Sequence, residues 1–206
     1  GPGLGPRPLP FAFYPPLNAP IAGPPSGDRR VGALLTQALR ISGHQVDLAS
    51  TFRSFDGAGE PQRQERLRDE GQKEANRLLA RWRDASAADR RHLWFTYHLY
   101  YKAPDWLGPL VSRELGIPYV VAEASHAAKR ATGPWAIGHR ACENAIREAA
   151  LLLCPTRLDM PALAALRASP DRIVHLPPFL DATHSRARAG EREAQRARLA
   201  ATHGID

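Results

Sequence analysis

The sequence predicts an α/β domain: a Rossmann-like, doubly wound, mostly parallel sheet with helices on both faces. Three observations carry this expectation. Short apolar runs at Phe11–Tyr14, His92–Tyr97, Tyr119–Ala122 and Leu151–Cys154 are too brief for helices and rich in aromatic or branched residues. Longer segments with apolar residues at helical spacing separate them, beginning with Val31, Leu34, Leu35, Ala38, Leu39 and Ile41. The boundaries carry suitable punctuation: Ser26-Gly27-Asp28 before the first helix, Pro61 in the first turn of the second, and Gly116 ending the third.

Taken in order, the first strand at Phe11–Tyr14 runs into a loop with five prolines between Pro15 and Pro25. The following helix stops at Ser42-Gly43, and Gln45–Ala49 alternates as a second strand. The loop therefore reaches a helix N-terminus, where free amides and the helix dipole suit anions and sugar hydroxyls. Gly23, Ser26, Gly27 and Asp28 are the binding candidates there. The loop lacks the G-x-G-x-x-G spacing of a dinucleotide site, and its prolines remove amide donors.

A loop from Arg53 to Glu60 precedes a long polar helix, Pro61 to about Asp84, whose main apolar contacts are Leu67, Leu78, Leu79 and Trp82. It reads as a surface helix or one that rearranges on meeting a partner. His92–Tyr97 is apolar and aromatic throughout, as expected of a central strand. His98 to Asp105 then forms the loop at its C-terminal end. Ligands of open α/β sheets bind beyond the carboxyl ends of the strands, which singles out His98, Tyr100 and Lys102. A helix over Asp105–Leu115, a strand over Tyr119–Ala122 and a polar loop at Glu123–His126 follow. Beyond the loop around Lys129 to Trp135 come a helix over Ile137–Ala150, the buried strand Leu151–Cys154 and a helix over Met160–Ala168. A last strand from about Ile173 breaks at Pro177-Pro178, because tandem prolines stop sheet pairing.

Composition narrows the function. With 206 residues, 43% of them hydrophobic, the chain suits one domain, or one domain and a tail, and not wholesale disorder. A net charge of +7 would suit an anionic partner, but the arginines of Arg63–Arg91 and Arg186–Arg198 interleave with Glu and Asp, as solvated helix faces do. The interleaved acids Glu65, Asp69, Glu70 and Glu74 weaken a membrane contact by the long helix without removing it. Nucleic-acid signatures are missing, as are a G-x-S-x-G elbow, a P-loop and H-E-x-x-H; the histidines show no metal-ligand spacing. Cys142 and Cys154 form no CxxC, which fits a reducing cytoplasm. No run reaches the ~18 apolar residues of a membrane span.

Three stretches resemble the family-4 glycosyltransferases of the GT-B fold. They are Gly43-His44-Gln45-Val46 behind its strand, loop and helix, Leu115-Gly116-Ile117-Pro118-Tyr119-Val120-Val121, and the Asp171–Asp181 segment with Pro177-Pro178. Phe179 stands where that last segment usually has glycine. The resemblance covers about residues 10 to 206 and implies the N-terminal, acceptor-side half of such an enzyme. It divides the chain into a tag-derived or disordered 1–8, an acceptor-side domain over 9–181, and a linker helix over 182–206 leading to a donor-binding domain.

The activity so implied is transfer of a sugar from a nucleotide-sugar donor to an acceptor, with retention and without a required metal. No tightly bound cofactor is expected; the donor belongs to the C-terminal domain, and this chain alone should be inactive. The partners implied are a sugar, glycan or lipid-linked acceptor and the chain's own C-terminal domain, in the cytoplasm, with peripheral membrane contact left open. Acceptor contacts fall to Gly23, Ser26, Gly27, Asp28, His98, Tyr100, Lys102 and Ser125, and the catalytic role to His126 or Glu123. In the family a histidine commonly follows the strand that ends here at Ala122; Ala124 stands near its position and His126 two residues later. Glu143, Asn144 and Arg147 fall where the family carries a helix beside the acceptor cleft. Two other readings stay open: a non-catalytic sugar- or protein-binding module of the same ancestry, and a nucleotide- or sugar-phosphate-binding Rossmann domain of another enzyme class.

Overall fold

The computed structural model describes residues 8–17, 36–37 and 39–177. They contain six strands: β1 (Pro10–Tyr14), β2 (Gln45–Leu48), β3 (Leu93–Leu99), β4 (Tyr119–Ala124), β5 (Leu151–Cys154) and β6 (Ile173–His175). Four α-helices described over their whole length alternate with β2 to β6: α1 (Pro61–Arg83), α2 (Gly108–Leu115), α3 (Ala136–Glu148) and α4 (Met160–Ala164); residues 36–37 and 39–41, between β1 and β2, are helical as well. The strands form one sheet in the order β2-β1-β3-β4-β5-β6, every pair parallel. The expected Rossmann-like α/β class is thus observed. β3 is central, as its unbroken apolar run requires.

This order places each helix. Crossovers between parallel strands are right-handed, so the direction of travel across the sheet selects the face. From β2 onward the chain always advances toward β6, and α1 to α4 supply residues to one core. There Leu78, Trp82, Val111, Ile146 and Leu163 cover Tyr14, Trp94, Tyr119, Val121 and Leu152. The β1-to-β2 connection travels the other way, and its Leu39 packs on the opposite face against the cluster of Phe11, Phe13, Val46, Phe95, Tyr97, Val120 and Ala122. The reversal lies between β1 and β3, the position where doubly wound sheets bind ligands.

Helix α1 is better anchored than its composition suggests. Besides the four apolar residues expected, it buries Gln64, Gly71 and Ala75, so the covered stripe is continuous. A Cβ at Gly71 would collide with the side chain of Trp106, so glycine is what permits this approach. Helix α1 is thus a surface helix, as expected, whose buried stripe is longer than the four apolar residues alone indicate.

Helix α2 begins at Gly108, three residues later than expected, with Leu107 at its N-cap, and Asp105 holds the turn that leads into it. Oδ1 of Asp105 accepts the amides of Leu107 and Gly108 at 2.9 and 2.8 Å, while Oδ2 accepts the hydroxyls of Thr96 and Tyr119 at 2.6 and 2.7 Å. Burial pushes this carboxyl above its ordinary range, and the four donors only partly offset that. One buried side chain so ties β3, β4 and α2 together. Gly116 ends α2 in the left-handed conformation at φ 65°, as its position predicts. Helix α4 stops at Ala164, short of the expected Ala168.

Candidate functional site

The carboxyl ends of β3 and β4 carry a paired distortion. His98 and Glu123 have φ of 65° and 57°, both left-handed. They fall opposite each other, between the partners Tyr97↔Ala122 and Leu99↔Ala124. Side chains of a regular strand alternate between faces. Here Phe95 and Tyr97 belong to one core, yet Leu99 belongs to the other; Val120, Ala122 and Ala124 repeat the pattern. Each left-handed residue reverses the alternation of its strand, at about 1–2 kcal/mol apiece for a residue with a Cβ. Burial of Leu99 and Ala124 under the helices offsets that cost, and the Tyr97 hydroxyl holds Glu123 by donating to Oε2 at 3.0 Å.

Two expectations are corrected here. His98 does not begin a loop and Glu123 does not open one: β3 runs to Leu99 and β4 to Ala124. Pairing resumes beyond the kinks, which keeps both residues in the sheet. His98 stacks on Tyr100 with ring centroids 5.0 Å apart, and Tyr100 bridges to Ala103 in a tight turn. Ser125 is exposed, with its amide donating to the Leu99 carbonyl at 2.8 Å. Gly23, Ser26, Gly27 and Asp28 lie outside the described residues, as do the start of the first predicted helix and the segment from Pro178 onward.

Lys102 belongs to a cationic and aromatic cluster that sequence reasoning missed. Its Nζ sits 5.1 Å from the Trp135 ring centre, and the Arg130 guanidinium lies 4.9 Å from the same ring and 5.1 Å from that of Tyr101. Beneath it is a polar knot around Asp56. Its Oδ2 accepts from the Glu60 amide and from Gln64 Nε2, and its Oδ1 from the amides of Ala58 and Gly59. Burial alone would raise the Asp56 carboxyl; the bonds from Gln64 and the three amides outweigh it and hold it below the usual range. Gln64 also donates to the Pro134 carbonyl and accepts the Gly138 amide, while Trp135 Nε1 donates to the Asp56 carbonyl. The start of α1, the start of α3 and the loop after β3 are thus locked together.

His126 meets α3 at its first two turns, against His139 and Glu143. Its Nε2 lies 2.9 Å from Oε1 of Glu143, and Nε2 of His139 lies 3.1 Å from that same oxygen. Arg147 approaches the other oxygen, Oε2, at 3.5 Å. The His126 hydrogen bond is the main reason the Glu143 carboxyl stays below its usual range; burial opposes it, and the charges of His139 and Arg147 add to it. The absence of metal-ligand spacing among the histidines therefore did not foretell their geometry: His126, His139 and Glu143 bring three ligand atoms within 4.8 Å of one another. The signal available was His139-x-x-x-Glu143, one helical turn apart, and it was not used.

A hollow of about 390 Å³ opens at the same edge of the sheet, beside the exit of β2, lined by Ser50, Phe52, Lys73, Glu74 and Arg77 among others. Ser50 and Arg77 both bond Glu74, whose carboxyl the Arg77 contact chiefly holds below its usual range. Among the described residues no helix is long and apolar enough to cross a membrane.

No protein-family model matches the chain, and no curated protein matches it in sequence. Among solved structures, it is similar to Alr3699/HepE of Anabaena in complexes with UDP, with UDP and glucose, and with UDP-glucose. Sequence identity is 12% and the TM-score 0.44 in each case. The match covers 84%, 84% and 83% of this chain and 45%, 45% and 44% of the other, so the chain spans less than half of those structures' length.

Proposed function

We propose that this chain is the acceptor-side half of a glycosyltransferase that moves a sugar from a nucleotide-sugar donor to an acceptor hydroxyl. The observation that carries the reading is the strained pair His98 and Glu123, at the carboxyl ends of neighbouring strands beside the reversal of strand order. Backbone strain of this kind persists where the surrounding structure over-determines it, and it clusters at binding and catalytic sites. The sequence resemblance to family-4 glycosyltransferases supports the same edge of the sheet, with the donor held by a further domain.

In this reading the acceptor lies over the ends of β3 and β4. Glu123, held by Tyr97, accepts a hydrogen bond from the attacking hydroxyl and orients it, and the departing diphosphate takes the proton on the face it leaves; His98, Tyr100 and Ser125 position the acceptor. Lys102 offers a positive charge to an anionic acceptor or to the departing diphosphate. His126, fixed by Glu143, supports the loop that follows Glu123. Transfer proceeds with retention of configuration, as the resemblance implies.

The test uses protein from the uninterrupted gene, assayed for release of nucleoside diphosphate from UDP-, GDP- and ADP-sugars with and without candidate sugar acceptors. Acceptor-dependent release is expected, falling ~10²-fold in Glu123→Gln, as misplacing the reacting hydroxyl costs. The 206-residue chain alone should release none. Tight binding of a free nucleotide by this chain alone would favour a nucleotide-binding domain of another enzyme class. Acceptor binding without release by the longer protein would favour a non-catalytic module.

A further inference from the structure

We propose that His126, His139 and Glu143 form a site for a divalent transition ion of the zinc class, held through the two Nε2 atoms and Oε1. The inference is independent of the transferase reading. Four-coordinate zinc binds nitrogen and oxygen at about 2.0–2.2 Å, which sets its ligand atoms about 3.4 Å apart. The Nε2 atoms already stand 2.9 and 3.1 Å from Oε1, and all three atoms lie within 4.8 Å of one another. Oε1 needs to move by only a few tenths of an ångström to reach that spacing, and approach of the two imidazoles to about 3.4 Å completes the set.

The setting favours it as well. Side chains of His126 and His139 are 12% and 5% exposed, so the nitrogens are largely withdrawn from competing water. His139 and Glu143 project from successive turns of α3, a rigid pairing, and His126 closes the set from the loop after β4. Arg147, at 3.5 Å, engages Oε2 and so orients the carboxylate with Oε1 toward the histidines. Two imidazoles and one carboxylate suit zinc, cobalt or nickel better than magnesium or calcium, which prefer all-oxygen sets. Three protein ligands leave a fourth position for water or an added ligand, the arrangement of an open zinc site.

The experiment takes the 206-residue chain, stripped of metal by a chelator, and titrates it with Co(II) and then Zn(II). One equivalent of Co(II) should give the visible absorption of a four-coordinate ion, and Zn(II) should displace it and raise the unfolding temperature. Loss of an outer-shell partner alone weakens such sites by roughly 10–100-fold. Glu143→Gln and His139→Ala should therefore weaken binding at least ~100-fold. His126→Gln, on the loop and outside the helix core, serves should the α3 variants fail to fold; far-UV circular dichroism of the metal-free forms checks this. Zn(II) binding no tighter in the parent chain than in folded His126→Gln would overturn the proposal. Equal competition by Mg²⁺ would do the same.

Discussion

Replacing Asp105 separates its role as an acceptor from its role as a charge. Asp105→Ala leaves the amides of Leu107 and Gly108 without their buried acceptor, and neither can turn away. An orphaned buried donor costs ~1–3 kcal/mol, so the two together cost about 2–6 kcal/mol. The hydroxyls of Thr96 and Tyr119 can rotate and add less. Asp105→Asn keeps Oδ1 for the two amides and turns its own NH₂ toward hydroxyl oxygens that can accept. It also removes a carboxylate that burial already disfavours. The expected cost for Asn is therefore only ~1–2 kcal/mol, a lost neutral hydrogen bond or so. Urea unfolding followed by tryptophan fluorescence and circular dichroism measures both variants. An Ala variant no less stable than the Asn variant would refute the idea that this carboxylate holds β3, β4 and α2 together. So would a cost for Ala within the ~0.5 kcal/mol typical of surface changes.

Two further outcomes follow from the knot beneath Lys102. A Cβ at Gly138 would run into the backbone carbonyl of Tyr101, so Gly138→Ala should destabilise by ~1–3 kcal/mol as α3 and the loop after β3 are forced apart; an unchanged unfolding midpoint would contradict that packing. Asp56 gives a pH signature. Its folded-state carboxyl lies below the ordinary value of 3.8, so its contribution is present above that value and is lost as pH falls through the lowered folded value. The stability advantage of the parent chain over Asp56→Asn should accordingly shrink between pH ~5 and ~2, and an advantage that grows on acidification would reverse the sign.

The order of strands and helices was legible because each depends on local rules. Apolar runs such as His92–Tyr97, the proline at the start of α1 and the glycine after α2 act over a few residues, and the structure places them as the pattern requires. Tertiary structure alone decided the rest. Strand order comes from pairing between distant segments, and crossover handedness then fixes the face each helix covers. The left-handed backbone at His98 and Glu123 exists because Leu99 and Ala124 are drawn into the helix-covered core, which no local preference of His or Glu would predict. His126 and His139 meet on Glu143 for a similar reason: the first is brought there by the end of β4, the others by one turn of α3. Periodicity along the chain determines which elements form. Which side chains share a site is decided by burial between elements far apart in sequence.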